Sequence, residues 1–396
     1  MLSASFIEKC RQETPGTIHN IHFNNAGASL MPKVVIDAIK NHIELESEIG
    51  GYEAASLKSK EIEQFYGFLA QMLKTTASNI AFANSATTAY NIALSSIPFE
   101  KGDVLLTTNE DYVSNQIAFL QLCKSKGIQL IRVADKPTGG FDPNDMERLI
   151  KETTPRLVAV THIPTGSGLI QEVEAAGQLC NKYGCYYLVD ACQSAGQLDL
   201  DVERLQCDFL TATFRKFMRG PRGAGFLYAS QRVLDEGLEP VFLDLHSADW
   251  VGAFEYMPKQ NAKRFETWER PYALVLGAKA AVEYALEIGM PMIEARVIKL
   301  SSMLRQRLSK LNHIEVTGRG ERLGGIVTAS VEGWKPGLLH QSLMSHRINC
   351  SISHKRAAVI HAPHDTIPWT LRLSPHYYNT EEEIESVVET LGILLQ

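Results

Sequence analysis

The chain has 396 residues, of which 45% are hydrophobic and 21% are charged, as in an ordinary globular protein with a large core and room for two domains. Its formal net charge of −6, from 39 basic and 45 acidic side chains, argues against a nucleic-acid-binding protein. No stretch approaches the roughly 18 apolar residues of a membrane span, and the charged N-terminus lacks the apolar core of a signal peptide, so we expect a cytosolic protein.

The N-terminal segment predicts a helix and an irregular arm over residues 1–20, followed by a short strand. That strand enters a loop of small residues within IHFNNAGASLMP, residues 21–32. A ligand could approach the backbone at 24–29, or the loop is a plain turn before the helix that begins at Pro32. Residues 33–74 have a mostly helical pattern that is interrupted at Gly50 and Gly51.

A cluster of hydroxyl groups marks the next strand-to-helix junction, in IAFANSATTAYNIALSSI at 80–97. Hydroxyls and free backbone N–H groups at the start of a helix form an anion site. An ordinary N-cap needs only one hydroxyl, whereas Ser85, Thr87 and Thr88 offer three. Both interpretations, a simple cap and a bound phosphate, remain open for this segment.

Strands and helices then alternate regularly. Strand patterns occur at 104–108, 128–134, 157–163, 186–191 and 209–213, and helical patterns separate them at 113–126, 144–151 and 171–183. This alternation predicts an α/β fold with a mostly parallel sheet covered by helices on both faces. Ligands of such sheets bind at the carboxyl ends of the strands. The polar residues predicted there are 110–112, His162, Asp190, Gln193 and 213–216.

One lysine stands in a loop dense in glycine and proline, within DFLTATFRKFMRGPRGAGFLY at 208–228. Lys216 is flanked by Arg215, Arg219 and Arg222, and neighbouring positive charge disfavours a protonated amine. A neutral lysine is the nucleophile that forms Schiff bases with carbonyls such as pyridoxal phosphate. The alternative is a basic, solvated turn that binds phosphate or nucleic acid.

Asp190 ends the apolar strand YYLVD, 26 residues before Lys216. An unpaired carboxylate buried there would be costly, so it is either a structural acid or a partner for a ligand. A carboxylate facing a pyridinium nitrogen keeps that nitrogen protonated, which makes the ring an electron sink.

The C-terminal part predicts a second, smaller α/β unit. We expect helices at 271–289, 293–310 and 338–347 and strands at 314–318, 324–332, 348–353 and 370–374. Thr380 and Glu383 form a capping box for the last helix. We predict an N-terminal arm at 1–20 that packs with the small domain, a large domain at 21–268 and a small domain at 269–396. Arg372 is either a salt-bridged surface residue or a clamp for a substrate carboxylate.

Other classes of site lack their motifs. The seven cysteines are odd in number and form no CxxC pair, so we expect reduced thiols and no metal site. Gly318, Gly320 and Gly324 do not form the GxGxxG of a nicotinamide dehydrogenase.

Taken together, seven segments resemble one family. They are FNNAGASLMP, NSATTAYN, THIPTGSGLIQ, YYLVDACQSAGQ, the Lys216 loop, RFETWER and LRLSPHYYNTEEE. In this order they resemble the class V aminotransferase branch of the fold-type I pyridoxal phosphate enzymes. That branch includes cysteine desulfurases, isopenicillin N epimerase-like proteins and the C–S lyase of ergothioneine biosynthesis. The resemblance implies a large domain that binds the cofactor, a smaller C-terminal domain and a homodimer with shared active sites.

The resemblance also implies roles for individual residues. Lys216 would hold pyridoxal phosphate as a Schiff base, Asp190 would pair with the ring nitrogen, and Tyr112 would stack on the ring. Gln193 and His162 would lie near the phenolic oxygen; the phosphate would be held by Thr87, Thr88, Thr213 and Arg215. Arg372 would bind the carboxylate of the amino-acid substrate, with Asn25 as a second substrate-binding candidate.

Two departures from the family pattern bear on the reaction. The segment SHKRAAVIHAPH, at 353–364, lacks the cysteine with which desulfurases take up sulfur, and Cys350 lies in a predicted strand. Trp268 replaces small residues near the contact with the second subunit. We therefore favour C–S lyase chemistry by β-elimination on a cysteine derivative, with aminotransfer or epimerisation as enzymatic alternatives and phosphate or nucleic-acid binding as the non-enzymatic one.

Overall fold

A computed structural model describes residues 2–354 and 367–396. Its strands are β1 (Ile21–His22), β2 (Ile80–Ala83), β3 (Val104–Thr107), β4 (Gln129–Arg132), β5 (Leu157–Thr161), β6 (Tyr186–Asp190), β7 (Phe209–Thr213), β8 (Gly225–Ala229), β9 (Ala248–Gly252), β10 (Glu255–Pro258), β11 (Ile314–Val316), β12 (Val327–Val331), β13 (Ile348–Asn349), β14 (Ser351–His354) and β15 (Trp369–Leu373). Residues 355–364, most of the segment compared with the sulfur-carrying loop, lie outside the described residues.

The α-helices separate these strands. They are α1 (Ala4–Gln12), α2 (Lys33–Ile49), α3 (Gly51–Leu57), α4 (Ser59–Leu73), α5 (Ala86–Ser96), α6 (Val113–Lys126), α7 (Pro143–Thr153), α8 (Val173–Tyr183), α9 (Val202–Leu205), α10 (Gln231–Asp235), α11 (Tyr272–Ile288), α12 (Met290–Leu308), α13 (Pro336–Ser345) and α14 (Glu381–Leu394). No helix within the described residues has the length and apolar character needed to cross a membrane.

The main sheet has seven strands in the order β2-β8-β7-β6-β5-β3-β4, and β8 alone runs antiparallel to the other six. The predicted mostly parallel sheet is therefore confirmed. Its register aligns the strand ends, because Thr161 of β5 lies beside Asp190 of β6, which lies beside Thr211 of β7. Polar residues from three strands thus meet along one carboxyl edge.

Both faces of this sheet are buried, as its apolar strands predict. In β5, Leu157 and Ala159 point into a core that contains α5 and α6. Val158 and Val160 point into the opposite core, which contains α4, α8 and α11. Each large apolar side chain buried in this way contributes roughly 1.5–3 kcal/mol, so the two cores hold the strand ends in place.

A smaller α/β unit is built on a four-stranded antiparallel sheet, β11-β12-β15-β14. Its core joins this sheet to the C-terminal half of α12 and to α13 and α14. The predicted capping box is confirmed, since Thr380 accepts from the Glu383 N–H and the Glu383 carboxylate accepts from the Thr380 N–H. This unit carries Arg372 toward the main sheet.

The linking segments connect the two units. β1 pairs in parallel with β13, and Arg11 of α1 donates to Glu383 of α14 at 2.9 Å. The helix α11 shares the core of the main sheet, although it follows the predicted boundary at 268. The domain limits stay a prediction.

The sequence did not predict the short helices α9 and α10 or the antiparallel hairpin of β9 and β10. Trp250, Tyr256 and Met257 of this hairpin are largely exposed. Since neither strand has a continuous buried face, no alternating pattern marks it in the sequence.

Candidate functional site

A cavity opens at the carboxyl edge of the main sheet. Its lining comes from β5, β6 and β7, the starts of α5 and α6, and the loops that follow the strands. The lining residues are Ser85, Ala86, Thr87, Tyr112, Thr161, Ile163, Thr165, Asp190, Cys192, Gln193, Thr213, Arg215 and Lys216. Seven of the residues predicted for the site, from four separate segments, therefore line one cavity.

Lys216 follows β7 and is only 8% exposed. Burial lowers the pKa of its amine, and the positive charges of Arg215 and Arg372 lower it further, while Cys192 and Asp190 act in the opposite direction. Burial, rather than the flanking arginines, is therefore the main cause. Of the flanking arginines, only Arg215 is among the main influences on this pKa, and Arg219 and Arg222 are not. The other arginine that lowers it is Arg372, which belongs to the second unit.

Asp190 ends β6 with its side chain in the same cavity, 3% exposed. Its Oδ2 accepts a hydrogen bond from Asn115 Nδ2 at 3.0 Å, and its Oδ1 accepts from the Cys192 backbone N–H at 2.9 Å. These bonds compensate for part of the cost of burying the carboxylate. They also hold it in one orientation toward the cavity.

Thr165 connects two predicted site residues at the wall of the cavity. Its hydroxyl accepts from Arg372 Nη1 at 2.6 Å and from Gln193 Nε2 at 3.0 Å. Gln193 Oε1 and Arg372 Nε are buried without a hydrogen-bond partner. Burial and the charge of Arg215 lower the pKa of Arg372 to about 10. Arg372 thus lies one side chain behind the lining, with unused capacity to bind a ligand.

The start of α5 forms a polar wall of the cavity. Ser85 is the N-cap and accepts from the Thr88 N–H at 3.0 Å, and its hydroxyl lies 2.9 Å from that of Thr88. Thr87 lines the cavity and Thr88 does not, because capping engages the Thr88 hydroxyl. Gly225 permits this arrangement, since a Cβ there would lie 2.8 Å from the Ala86 nitrogen.

Two residues from the loops complete this wall. Thr213 ends β7, and its hydroxyl donates to the carbonyl of Ala224 at 3.4 Å. Arg215 donates from Nη1 to the carbonyl of Gly27, which ties the small-residue loop to the Lys216 loop. A hydroxyl and a guanidinium thus lie on the same side as the N-terminus of α5.

Tyr112 stands at the edge of the cavity, 37% exposed. The centre of its ring lies 6.0 Å from Lys216 Nζ, a position from which the ring can cover a ligand held by the lysine. The prediction of a ring-stacking residue is compatible with this placement.

Asn25 is fully buried next to the cavity, and its amide is used within the protein. Its Nδ2 donates to the carbonyls of His22 at 3.2 Å and Ser374 at 2.8 Å, and its Oδ1 accepts from Tyr378 at 2.7 Å. It does not line the cavity. Its polar atoms anchor the small-residue loop to the second unit.

His162 lies on the other side of the sheet edge. Thr161, the last residue of β5, and Ile163 line the first cavity, whereas His162 lines a second one with Asp199, Arg204 and Arg322 among others. Burial, aided by the charge of Arg322, lowers the pKa of His162 to about 3. The sequence placed this histidine correctly at a strand end but could not assign its face.

The cavity also contains residues that the sequence analysis did not single out. Thr161, Thr165 and Cys192 line it, and each lies within two residues of a predicted site residue or within a matched segment. Small polar residues next to strand ends were therefore the available signal. Within the described residues, no cluster of three or more His, Cys, Asp or Glu side chains could hold a metal ion.

Comparisons with known proteins agree with this arrangement. The family model for aminotransferase class-V matches residues 21–387. A probable cysteine desulfurase of Methanothermobacter thermautotrophicus is 29% identical over 97% of this chain and 97% of its own length. A probable hercynylcysteine sulfoxide lyase of Mycobacterium tuberculosis is 26% identical over 98% of this chain and 93% of its own length.

Among solved structures, the apo cysteine desulfurase from Thermococcus onnurineus is similar with a TM-score of 0.91. It is 27% identical, and the match covers 100% of this chain and 99% of that one. The family match extends across the main sheet, the cavity and the second unit. The chain therefore belongs to the aminotransferase class-V family of enzymes.

Proposed function

We propose that this enzyme binds pyridoxal phosphate and cleaves the C–S bond of a cysteine derivative by β-elimination. One observation carries the proposal: Lys216, a buried amine with a lowered pKa, shares a cavity with the buried carboxylate of Asp190. The relatives named above, a probable desulfurase and a probable sulfoxide lyase, support a sulfur-containing amino acid as the substrate.

The residues of the cavity fit this cofactor. An amine that is easily deprotonated suits the aldehyde, a buried carboxylate suits the ring nitrogen, and a helix N-terminus suits the phosphate. Lys216, Asp190 and the start of α5 supply these three groups in one cavity. The unpartnered Oε1 of Gln193 offers a further polar contact for the ring substituents.

The cavity lining also indicates which residues would contact the phosphate. Thr87, Thr213 and Arg215 face the cavity, so we assign the phosphate to them. Thr88 acts instead through the capping bond that orders the helix start. His162 lies outside this cavity, so the geometry gives no support for its contact with the ring.

When bound, pyridoxal phosphate supplies a conjugated ring that takes up the electron pair left by removal of the substrate α-proton. Lys216 holds the aldehyde and then, as a neutral amine, takes the α-proton as general base. Asp190 retains the proton at the ring nitrogen, and Asn115 and the Cys192 N–H fix its orientation. Arg372 binds the substrate carboxylate with a planar guanidinium.

The elimination is balanced with water as the second reactant. The sulfur substituent leaves the β-carbon with the C–S bonding electrons and is protonated to a thiol, or to a sulfenic acid if the substrate is a sulfoxide. Hydrolysis of the remaining fragment gives pyruvate and ammonia. Lys216 is the group placed to return the proton, because its amine carries it after the first step.

Sulfur uptake by a cysteine in the position that desulfurases use has little support. The segment 353–364 contains no cysteine. Cys350 is 3% exposed, and burial raises the pKa of its thiol to about 12, so it is a poor nucleophile. These observations favour a lyase over a desulfurase that forms a protein persulfide. Aminotransfer and epimerisation use the same cavity and remain the alternative reactions.

Two measurements test the proposal. The purified chain should show a visible absorption band that hydroxylamine bleaches, and a colourless chain that binds no added pyridoxal phosphate would refute the proposal. Cysteine, cystine, cysteine S-conjugates and their sulfoxides should then be screened for release of pyruvate. A requirement for an α-keto acid would show an aminotransferase, and racemised substrate without pyruvate would show an epimerase.

We further propose a homodimer of cytosolic location with shared active sites. Beside Tyr112, the helix α6 exposes Val113, Ile117 and Leu120 at the spacing of one helical face. Other large exposed apolar side chains are Phe242, Trp250, Phe254 and Trp268. Exposed apolar surface of this kind is typical of an interface. Light scattering during gel filtration should give twice the mass of the 44.0 kDa chain, and a monomer would contradict this proposal.

A further inference from the structure

Asp111 is a second carboxylate beside the cavity, at the start of α6, and the reaction proposed above does not use it. It accepts hydrogen bonds from the Tyr112 N–H at 2.6 Å, Asn115 Nδ2 at 3.0 Å and Gln116 Nε2 at 2.8 Å. The hydroxyl of Thr161 also donates to it. Its partners thus come from both α6 and β5.

Asn115 connects this carboxylate to Asp190. Its Nδ2 donates to Asp111 Oδ1 and to Asp190 Oδ2, each at 3.0 Å. An amide nitrogen carries two hydrogens, one for each acceptor. Because both acceptors are carboxylate oxygens, only this orientation of the amide satisfies them. Asn115 is 4% exposed, so water has little access to the bridge.

Hydrogen bonds, rather than an ion pair, offset part of the cost of burying the charge of Asp111, whose pKa stays above its usual value. Burial raises the pKa of its carboxyl group, the bonds from Thr161, Asn115 and Gln116 lower it, and the charge of Asp190 raises it again. No positively charged side chain is among these main influences. A carboxylate maintained in this way has to keep its donors in place, and one of those donors holds Asp190.

We propose that Asp111 is a positioning residue that acts through Asn115 to direct Asp190 toward the ring nitrogen of the cofactor. Through the Tyr112 N–H it also sets the position of the residue at the edge of the cavity. The inference rests on the proposed function, since it concerns how Asp190 meets pyridoxal phosphate. Asp111 itself does not line the cavity.

The test compares Asp111→Asn with Asn115→Ala, and uses Asp135→Asn as the matched control. Asp135 is exposed and accepts a hydrogen bond from Asn109, two residues before Asp111, at 3.0 Å. The same chemical change is therefore made near Asp111 without touching the bridge. Apoenzyme of each full-length variant is titrated with pyridoxal phosphate. The dissociation constant should rise about tenfold in the first two variants, as expected for loss of a hydrogen bond to a charged group, and stay unchanged in the control.

The visible absorption band provides a readout that a merely structural role would not move. If Asp190 no longer holds the ring nitrogen protonated, the linkage between Lys216 and the cofactor loses a neighbouring positive charge. Its pH midpoint should therefore move to higher pH in Asp111→Asn and in Asn115→Ala. The double variant should show no more than the larger single shift, because both changes break the same bridge.

The possible outcomes separate the two proposals. Wild-type chain that binds no pyridoxal phosphate refutes the proposed function and this inference together. Wild-type binding with unchanged affinity and midpoint in both variants refutes the inference alone, as does a double variant whose effects simply add. If Asp111→Asn does not fold, Asp111→Glu, which keeps the charge but moves the carboxylate, takes its place in the same two measurements. Unchanged affinity and midpoint in that variant refute the inference.

Discussion

Two buried cations lie three residues apart in the loop between β7 and β8, and their surroundings differ. Arg219 donates from Nε to the Leu30 carbonyl at 2.9 Å, from Nη2 to Thr14 at 2.5 Å and from Nη1 to Tyr377 at 2.5 Å. Within the described residues, Lys216 Nζ forms no hydrogen bond or ion pair, and the Tyr112 ring lies 6.0 Å away. One cation is fully engaged by the protein and the other is left available.

The electrostatic consequences are opposite. Burial lowers the pKa of both groups, but for Arg219 the neighbouring Tyr377, Tyr378 and Tyr284 more than offset it. The guanidinium carbon lies 4.3 Å from the centre of the Tyr378 ring, which adds a cation–π contact. Arg219 is therefore a structural cation that joins α1, the Lys216 loop and the second unit. Lys216, without such partners, is poised to lose its proton.

The largest expected effect follows from replacing the available cation. Lys216→Ala removes both the covalent attachment and the general base, so turnover should fall by about three orders of magnitude or more. The hydroxylamine-sensitive absorption band should also be lost. Steady-state pyruvate assays and absorption spectra provide the measurement, and Arg222→Ala, at an exposed position of the same loop, is the control. A Lys216→Ala variant that keeps its band and turnover would overturn the assignment.

The engaged cation should instead control stability. Arg219→Leu leaves the Leu30 carbonyl, Thr14 and Tyr377 without their donor, and each buried group without a partner costs about 1–3 kcal/mol. We expect a loss of about 3 kcal/mol or more in the free energy of unfolding, measured by urea denaturation. Arg222→Leu should change it by less than about 0.5 kcal/mol. Equal stability of the two variants would show that Arg219 is not a structural cation.

Arg372 tests whether an arginine can be available for a ligand, as Lys216 is, rather than structural, as Arg219 is. Its Nε is buried without a partner, whereas the guanidinium of Arg219 donates from all three nitrogens. Because a lysine cannot bind a carboxylate in bidentate fashion, Arg372→Lys should raise KM about tenfold with little change in kcat. A variant with unchanged KM and lowered stability would place Arg372 in the structural class.

His162 should have the smallest effect on turnover. It is buried with an unpartnered Nδ1, as a site residue would be, but it lies outside the cavity. His162→Gln should change turnover by no more than about twofold, because its side chain lies outside the cavity that contains Lys216. A loss of about tenfold or more in turnover would show that His162 belongs to the site.

Stability against acid should reveal His162 instead. Its pKa falls from 6.5 to about 3 on folding, so between these values the unfolded chain binds a proton that the folded chain does not. The free energy of unfolding should fall as pH drops below 6.5, by about 1.4 kcal/mol per pH unit for this group. His162→Gln should reduce that slope in urea unfolding between pH 7 and pH 4.5; an unchanged slope would contradict the buried neutral state.

Several site residues could be predicted from the sequence because each lies in a recognisable local pattern. Lys216 stands in a loop of glycines and prolines, Asp190 ends an apolar strand, and Thr87 lies among hydroxyls at a helix start. The parallel topology then implies that strand ends meet at one edge of the sheet. By contrast, Asn115 lies in no such local pattern, since its importance depends on Asp190, which is distant in the chain.

The sequence by itself determined the α/β class, the order of strands and helices around the main sheet, and the lysine and carboxylate of the cavity. These follow from periodicity and from the chemistry of single residues. Tertiary structure alone decided that His162 lies outside the cavity and that burial, rather than the arginine-rich loop, is the main cause of the lowered pKa of Lys216. Those outcomes depend on strand register and on packing between distant segments, which determine the solvation and partners of each charge.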